Sequence, residues 1–119
     1  MPDAGTNDIS YTKELLKLGK KVLILDHHNL NNEEDKTLMI NQNGELIYVL
    51  VNNQLGKYSK AFSGVGVVWK FLSAMTQDEL VHYLDLVAVG SVADSMFLND
   101  LELRYVVNKG LENVNNELF

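Results

Sequence analysis

Cysteine is absent from this sequence, which removes disulfides and thiolate metal sites together, so any metal must be held by Asp, Glu, His or backbone oxygens. Proline occurs once, at position 2, and no low-complexity tract or internal repeat interrupts the chain. Positive charge is scarce, with 10 Lys and Arg against 16 Asp and Glu, a formal charge of -6 and a pI of about 4.9. Lys17, Lys20 and Lys21 lie near the start and Lys57, Lys60 and Lys70 further on, so no basic stripe forms. That balance argues against tight, charge-driven binding to a phosphate backbone by this chain alone. Long apolar runs are lacking too, since none approaches the roughly 20 residues that cross a bilayer. The start, Met1 to Asp8, is polar where a leader would place a basic region before an apolar one. These absences predict a cytoplasmic protein with no membrane partner.

What is present is a chain of 119 residues, 46% apolar, enough for one core, and a single domain over 1–119 is expected. Pro2 to Asp8 is rich in turn residues and opens a short helix carrying Ile9, Leu15, Leu16 and Leu18, closed at Gly19. Val22 to Leu25, four apolar residues bounded by charge, fits a central parallel strand covered on both faces. A helix followed by a buried strand is half of a βαβ unit, whose other half would be a strand running into Asp3.

Asn29 to Lys36 reads as a loop. Thr37 to Ile40 and Leu46 to Val51 read as strands, joined at Asn43-Gly44 by a hairpin turn. Asn52 to Phe62 is again loop-like. Ser63-Gly64-Val65-Gly66 leads into a helix expected to be largely buried, with Val67, Val68, Trp69, Phe71, Leu72 and Met75. Thr76 or Asp78 is the expected cap of the next helix, which carries Leu80, Val81, Leu84, Val87 and Ala88. Leu103, Val107, Leu111 and Val114 keep helical spacing to near the end, with Gly110 as a weak point. The alternation predicts an α/β fold: a partly parallel sheet flanked by helices.

Asp26-His27-His28 follows directly on the buried strand and so falls at its carboxyl edge, where open α/β sheets gather ligands. A carboxylate and two imidazoles there can supply a metal ligand, a partner that fixes a tautomer, and a donor for phosphate. Asp3, in a turn before a helix, and Asp94, at the end of a strongly apolar segment, complete an oxygen and nitrogen set suited to Mn²⁺ or Mg²⁺. Each has a plainer reading: Asp3 as a helix cap, Asp94 as an exposed turn, the histidines as surface groups. Gly64 and Gly66 can bring backbone N–H groups to a phosphate at a helix start, or can serve close packing. His82, Trp69 and the tyrosines read as structural.

The order of these motifs resembles the DHH phosphoesterases. Asp3 with Ala4-Gly5-Thr6, then Asp26-His27-His28, then Ser63 to Lys70, then Leu84 to Asp94 match four of that superfamily's motifs in order and spacing. The last two, with Leu103-Arg104-Tyr105-Val106-Val107-Asn108-Lys109-Gly110-Leu111, are similar to RecJ-type single-strand DNA exonucleases. An Asp-x-Asp-Gly first motif, which would bring two further aspartates, does not occur here. The sequence also has Glu102-Leu103-Arg104 where RecJ proteins have Glu-Asn-Arg, and Met96-Phe97-Leu98 where they have a Val-Pro-Leu type run, which reads as drift in a divergent, phage-derived member.

The resemblance implies an incomplete DHH-type domain lacking its first strand and motif. It implies phosphodiester hydrolysis with two Mn²⁺ or Mg²⁺ ions in the whole protein and at most one, weakly bound, here. Metal ligation falls to Asp3, His27 and Asp94. His28 would meet the scissile phosphate with Gly64 and Gly66 beside it, and Asp26 would orient an imidazole. Single-stranded nucleic acid would be the partner of the whole protein, bound weakly by this acidic piece. The alternatives are a phosphodiesterase of the same superfamily acting on oligonucleotides or cyclic dinucleotides, and a non-catalytic module of replication.

Overall fold

The computed structural model describes residues 1–31, 37–57 and 59–114. Of the expected Asn29 to Lys36 and Asn52 to Phe62 loops, 32–36 and 58 lie outside these. Helix α1 (Ile9–Lys17) stops where the sequence puts glycine. Gly19 has φ 73°, its N–H reaches the Leu16 carbonyl, and the Lys20 N–H reaches Leu15, the paired bonds by which a left-handed residue closes a helix.

Strand β1 (Val22–Asp26) follows at once and pairs in parallel with β3 (Leu46–Asn52), so that Asp26 lies opposite Asn52. Strand β2 (Leu38–Ile40) pairs with β3 in antiparallel sense, with a register shift between Met39 and Ile40. The sheet among the described residues is therefore mixed, in the order β1-β3-β2. The hairpin turn is held by one side chain: Asn41 Oδ1 accepts the N–H groups of Asn43 and Glu45, both at 2.9 Å. Beyond β1 on its other side lies a single parallel bridge from Pro2 to Leu25. β1 thus forms an edge of the described ladder where a central position was expected, and Leu23 is exposed while Leu25 on the same face and Val22 and Ile24 on the other are buried.

Helix α2 (Gly64–Thr76) buries only Gly64, Gly66 and Val67, and its outer Leu72 and Met75 are exposed, so the helix is not largely buried as expected. Neither expected residue caps the next helix. The Thr76 hydroxyl donates back to the Leu72 carbonyl and Asp78 accepts from the Leu80 N–H, turning the chain into one 3-10 turn (Val81–Tyr83) before α3 (Leu84–Ala93). Helix α4 (Leu101–Glu112) has the side-chain cap that α3 lacks, Asp100 accepting the Leu103 N–H at 2.8 Å.

Two apolar clusters result. Val22, Ile24, Tyr48 and Leu50 form one with Leu16 of α1, and Phe62, Leu84, Val87, Ala88, Leu103, Val106 and Val107 form the other between α3 and α4. Gly110 was expected to weaken α4; instead it lets α4 lie directly on α3. A Cβ there would overlap the Leu84 carbonyl oxygen and come within 2.6 Å of Ala88 Cβ. On an exposed helix Gly→Ala gains about 1 kcal/mol. Here the helices must part, and Gly110→Ala is expected to lose roughly 1–3 kcal/mol, read as a lower midpoint in urea unfolding. A gain in stability would show that α3 and α4 do not pack this closely.

Candidate metal centre

The carboxyl end of β1 carries a carboxylate that is 1% exposed, Asp26. Five donors converge on it. Oδ2 accepts the Thr6 N–H at 3.1 Å and the Thr6 hydroxyl at 2.6 Å; Oδ1 accepts the N–H of His27 at 2.8 Å, that of His28 at 3.4 Å, and faces His28 Nδ1 at 2.6 Å. Burial pushes this carboxyl up, but the bonds from Thr6, His28 and His27 outweigh burial and bring it down to about 2. The same contact with Asp26 raises His28 above the ordinary imidazole range, against some desolvation and with help from the negative charges of Asp26, Asp3 and Asp94.

His27 takes different partners although the two rings lie side by side, their centroids 4.5 Å apart and their planes tilted by 51°. Its Nε2 lies 3.1 Å from Asp3 Oδ1 and 3.3 Å from Asp94 Oδ2, with the imidazole side chain 12% exposed between carboxylates that are 63% and 50% exposed. Asp3 comes from the turn beside β1 and Asp94 from the end of α3. Both are set by left-handed turns: Asp3 itself has φ 57° and Ser95, next to Asp94, φ 53°, conformations that Asp tolerates better than most residues. Asp3, Asp26, His27 and His28 each offer a ligand atom within 4.8 Å of the others.

A pocket opens beside this cluster, about 320 Å³, lined by Asp3, Ser63, Gly64, Val65, Gly90, Ala93 and Asp94. Its floor is the start of α2, where the first intrahelical bond runs from Val67 N–H to the Ser63 carbonyl, leaving the N–H groups of Gly64, Val65 and Gly66 ahead of the ladder. Gly64 is glycine because Asp3 lies against it, and a Cβ would overlap the Asp3 carboxylate.

The residues singled out in the sequence therefore divide. Asp3, His27 and Asp94 meet; Asp26 and His28 form a separate bonded pair alongside; Gly64 lines the pocket. Gly66 does not line it, and its missing side chain is accounted for by Phe62, whose ring a Cβ would strike. Trp69 stacks on Phe62 and donates to the Glu79 carbonyl at 3.1 Å, and His82 packs on Tyr83, in keeping with structural roles. Thr6 and Asn52 were missed. A polar residue ending a buried strand in register with Asp26 was the signal for Asn52.

Two carboxylates and an imidazole around a pocket that a methyl group would close fit a hard divalent cation with oxygen and nitrogen ligands. The comparisons bear on the same point. No family model matches the chain. YorK of Bacillus subtilis (strain 168), a prophage-derived protein that carries the name single-strand DNA-specific exonuclease, is 32% identical over 99% of this chain, as is its counterpart in Bacillus phage SPbeta. A crystal structure of exonuclease RecJ bound to manganese superposes with a TM-score of 0.69 at 25% identity, over 93% of this chain and 27% of that one.

The chain is similar to YorK and to RecJ over nearly all of its own length. It spans 20% of the length of the curated relatives it matches. The sheet and helices here are the partial α/β unit that the RecJ likeness implies, and no helix among the described residues is long and apolar enough to cross a membrane.

Asp26 also gives the RecJ-like unit a pH signature. Its folded-state value, about 2, lies below the ordinary 3.8, so its contribution to stability is complete above pH 4 and is lost as pH falls through 2. The shift corresponds to roughly 2 kcal/mol. Asp26→Asn, which offers donors where donors already point, is expected to lose at least that much at pH 7 and to flatten the acid limb between pH 4 and 2 in thermal melts. An unchanged acid limb would show that other carboxylates set it.

Proposed function

We propose that residues 1–119 form a single partial DHH domain, the metal-binding part of a RecJ-like exonuclease that hydrolyses single-stranded DNA with two divalent cations, Mn²⁺ or Mg²⁺. The observation that carries this reading is His27 Nε2 standing between Asp3 and Asp94, side chains from opposite ends of the sequence. The names of YorK and of RecJ bound to manganese support the same chemistry. A non-catalytic module has no need to keep these three groups together. A DNA substrate and the lack of cysteine favour the cytoplasm.

In this reading Asp3, His27 and Asp94 hold a cation, and His28 meets the scissile phosphate. Bound cations of this class lower the pKa of a coordinated water and neutralise charge on phosphoryl oxygens. His28 keeps its proton to higher pH than a free histidine and is half exposed, so it can donate to a phosphate oxygen while Asp26 fixes its ring through Nδ1. The N–H groups at the start of α2, at Gly64 and its neighbours up to Gly66, add donors of the kind that favour an anion. Asp3 and Asp94 are each at least half exposed, and three side chains make a short ligand set, so this chain binds one cation weakly.

Calorimetric titration of the 119-residue chain with Mn²⁺ is expected to give one weak site. Asp3→Asn, His27→Ala and Asp94→Asn each weaken it by about tenfold or more. Gly64→Ala, which displaces the Asp3 carboxylate, does likewise without unfolding the chain. With Mn²⁺ and single-stranded DNA the chain alone is expected to show little or no degradation. Robust degradation would refute the need for further metal ligands, and full Mn²⁺ affinity in all four variants would remove this site.

A further inference from the structure

The turn that joins α3 to α4 presents a large apolar ring to solvent on a backbone held at both ends. On the α3 side, the Met96 N–H returns to the Ser91 carbonyl at 3.0 Å and the Met96 side chain packs against the helical cluster. On the α4 side, Arg104 Nε donates to the Leu98 carbonyl at 2.9 Å and Asp100 caps the helix. Phe97 lies between these anchors and is 80% exposed, the highest value among the exposed large hydrophobic side chains of the described residues. A lone exposed apolar side chain is ordinary on a protein surface. Place sets this one apart, because the three residues of chain that separate Phe97 from Asp94 span at most about 11 Å. Leu101 and Tyr105, one turn apart on the face of α4 opposite its buried residues, are exposed as well, so the surface beyond Asp94 continues apolar.

Charge points to the same ligand from another side. Nucleic acid is ordinarily gripped through its phosphates by Lys and Arg, and this chain has a formal charge of -6 and no basic stripe. The grip that remains is on the bases, each of which has a flat π-face that stacks on an aromatic ring whatever the sequence. A base joined to a phosphate at the Asp94 wall of the pocket lies within reach of Phe97. A ring on a held backbone also loses little freedom when a base settles on it. We propose that Phe97 is a nucleobase-stacking residue, taking the face of a base in a single strand whose backbone passes the carboxylates of Asp3 and Asp94. What brings the base to Phe97 rests on the nuclease reading; the exposed ring on its held turn does not.

The test is aromatic NMR of the 119-residue chain, ¹³C-labelled at its four phenylalanines and held in diamagnetic Mg²⁺. It is titrated with a short oligothymidylate and, separately, with a sugar–phosphate strand of the same length that lacks bases. The oligothymidylate is expected to move the Phe97 ring signals upfield, and the baseless strand to leave them in place. Phe97→Ala is expected to weaken oligothymidylate binding by about tenfold. Phe97→Leu, which keeps apolar bulk without a π-face, is expected to weaken it comparably, and Phe97→Tyr to retain it. Leu18→Ala removes another strongly exposed apolar side chain, at the far end of α1, and is expected to change nothing. Wild-type affinity in Phe97→Ala overturns the proposal, as do equal affinities in Phe97→Leu and Phe97→Tyr, an equal upfield shift with the baseless strand, or no binding of oligothymidylate by wild type. Mn²⁺ binding without nucleic acid is expected to be the same in Phe97→Ala as in wild type. A wild-type chain that binds no cation overturns the nuclease reading and this proposal together; one that binds both cation and oligothymidylate without help from Phe97 overturns this proposal alone.

Discussion

A buried carboxylate without partners would ionise at a cost of several kcal/mol or take up a proton. Asp26 does neither, because donors from two segments are aimed at it before any ligand arrives: Thr6 from the turn ahead of α1, and the backbone and ring of His27-His28 beyond β1. The rest of the site depends on this convergence. It decides where the chain leaves β1, and it holds both N–H groups of the histidine pair, whose rings lie side by side with different partners. One ring is held by Asp26 itself and the other is released to stand between Asp3 and Asp94.

The same network joins parts of the molecule that packing leaves separate. The sheet cluster and the helical cluster are distinct, and the site draws on both: Asp3, Asp26, His27 and His28 from the sheet edge, and Gly64 and Asp94 from α2 and α3. Asn7 adds to the stitching on the sheet side, donating to the Asn29 carbonyl and accepting from the Asn31 N–H, both at 2.9 Å. On the helical side Lys70 pairs with Glu102 and lies over the Phe62 ring, which ties α2 to α4 at the surface, where such pairs add little. A polar network that is fully partnered fixes one arrangement of its members, whereas apolar contact alone tolerates several.

What could be read from the sequence follows from which features are local. The run Val22 to Leu25 ending in Asp26 fixes a strand and its carboxyl edge with no other information, and Gly19 and Asn43-Gly44 fix a helix end and a turn by backbone preference. The partners of Asp26 were not legible in the same way, because Thr6 and Asn52 are ordinary polar residues until parallel pairing puts β3 beside β1. The two glycines of α2 illustrate the limit: identical in type and two apart, one is emptied for Asp3 and the other for Phe62. Helix burial was overestimated for a related reason. Apolarity states what a face would gain from cover, not whether cover is there, and Leu72, Met75, Leu86, Val89 and Val92 are all exposed.

The start of α2 shows how the pocket can prefer a paired ligand over a single ion. Ser63 stands at the capping position, yet its hydroxyl makes no bond to the helix. Ser91 has committed its proton to the Val87 carbonyl at 2.7 Å, so across the 3.4 Å between the two hydroxyls Ser63 is the donor, and the first N–H groups of α2 are left without a side-chain cap. Uncapped N–H groups favour an anion. The carboxylates of Asp3 and Asp94 on the same pocket repel one and favour a cation. Either charge alone meets one favourable and one unfavourable wall. A cation held by the carboxylates with a phosphate toward the helix would satisfy both, in line with the proposed chemistry.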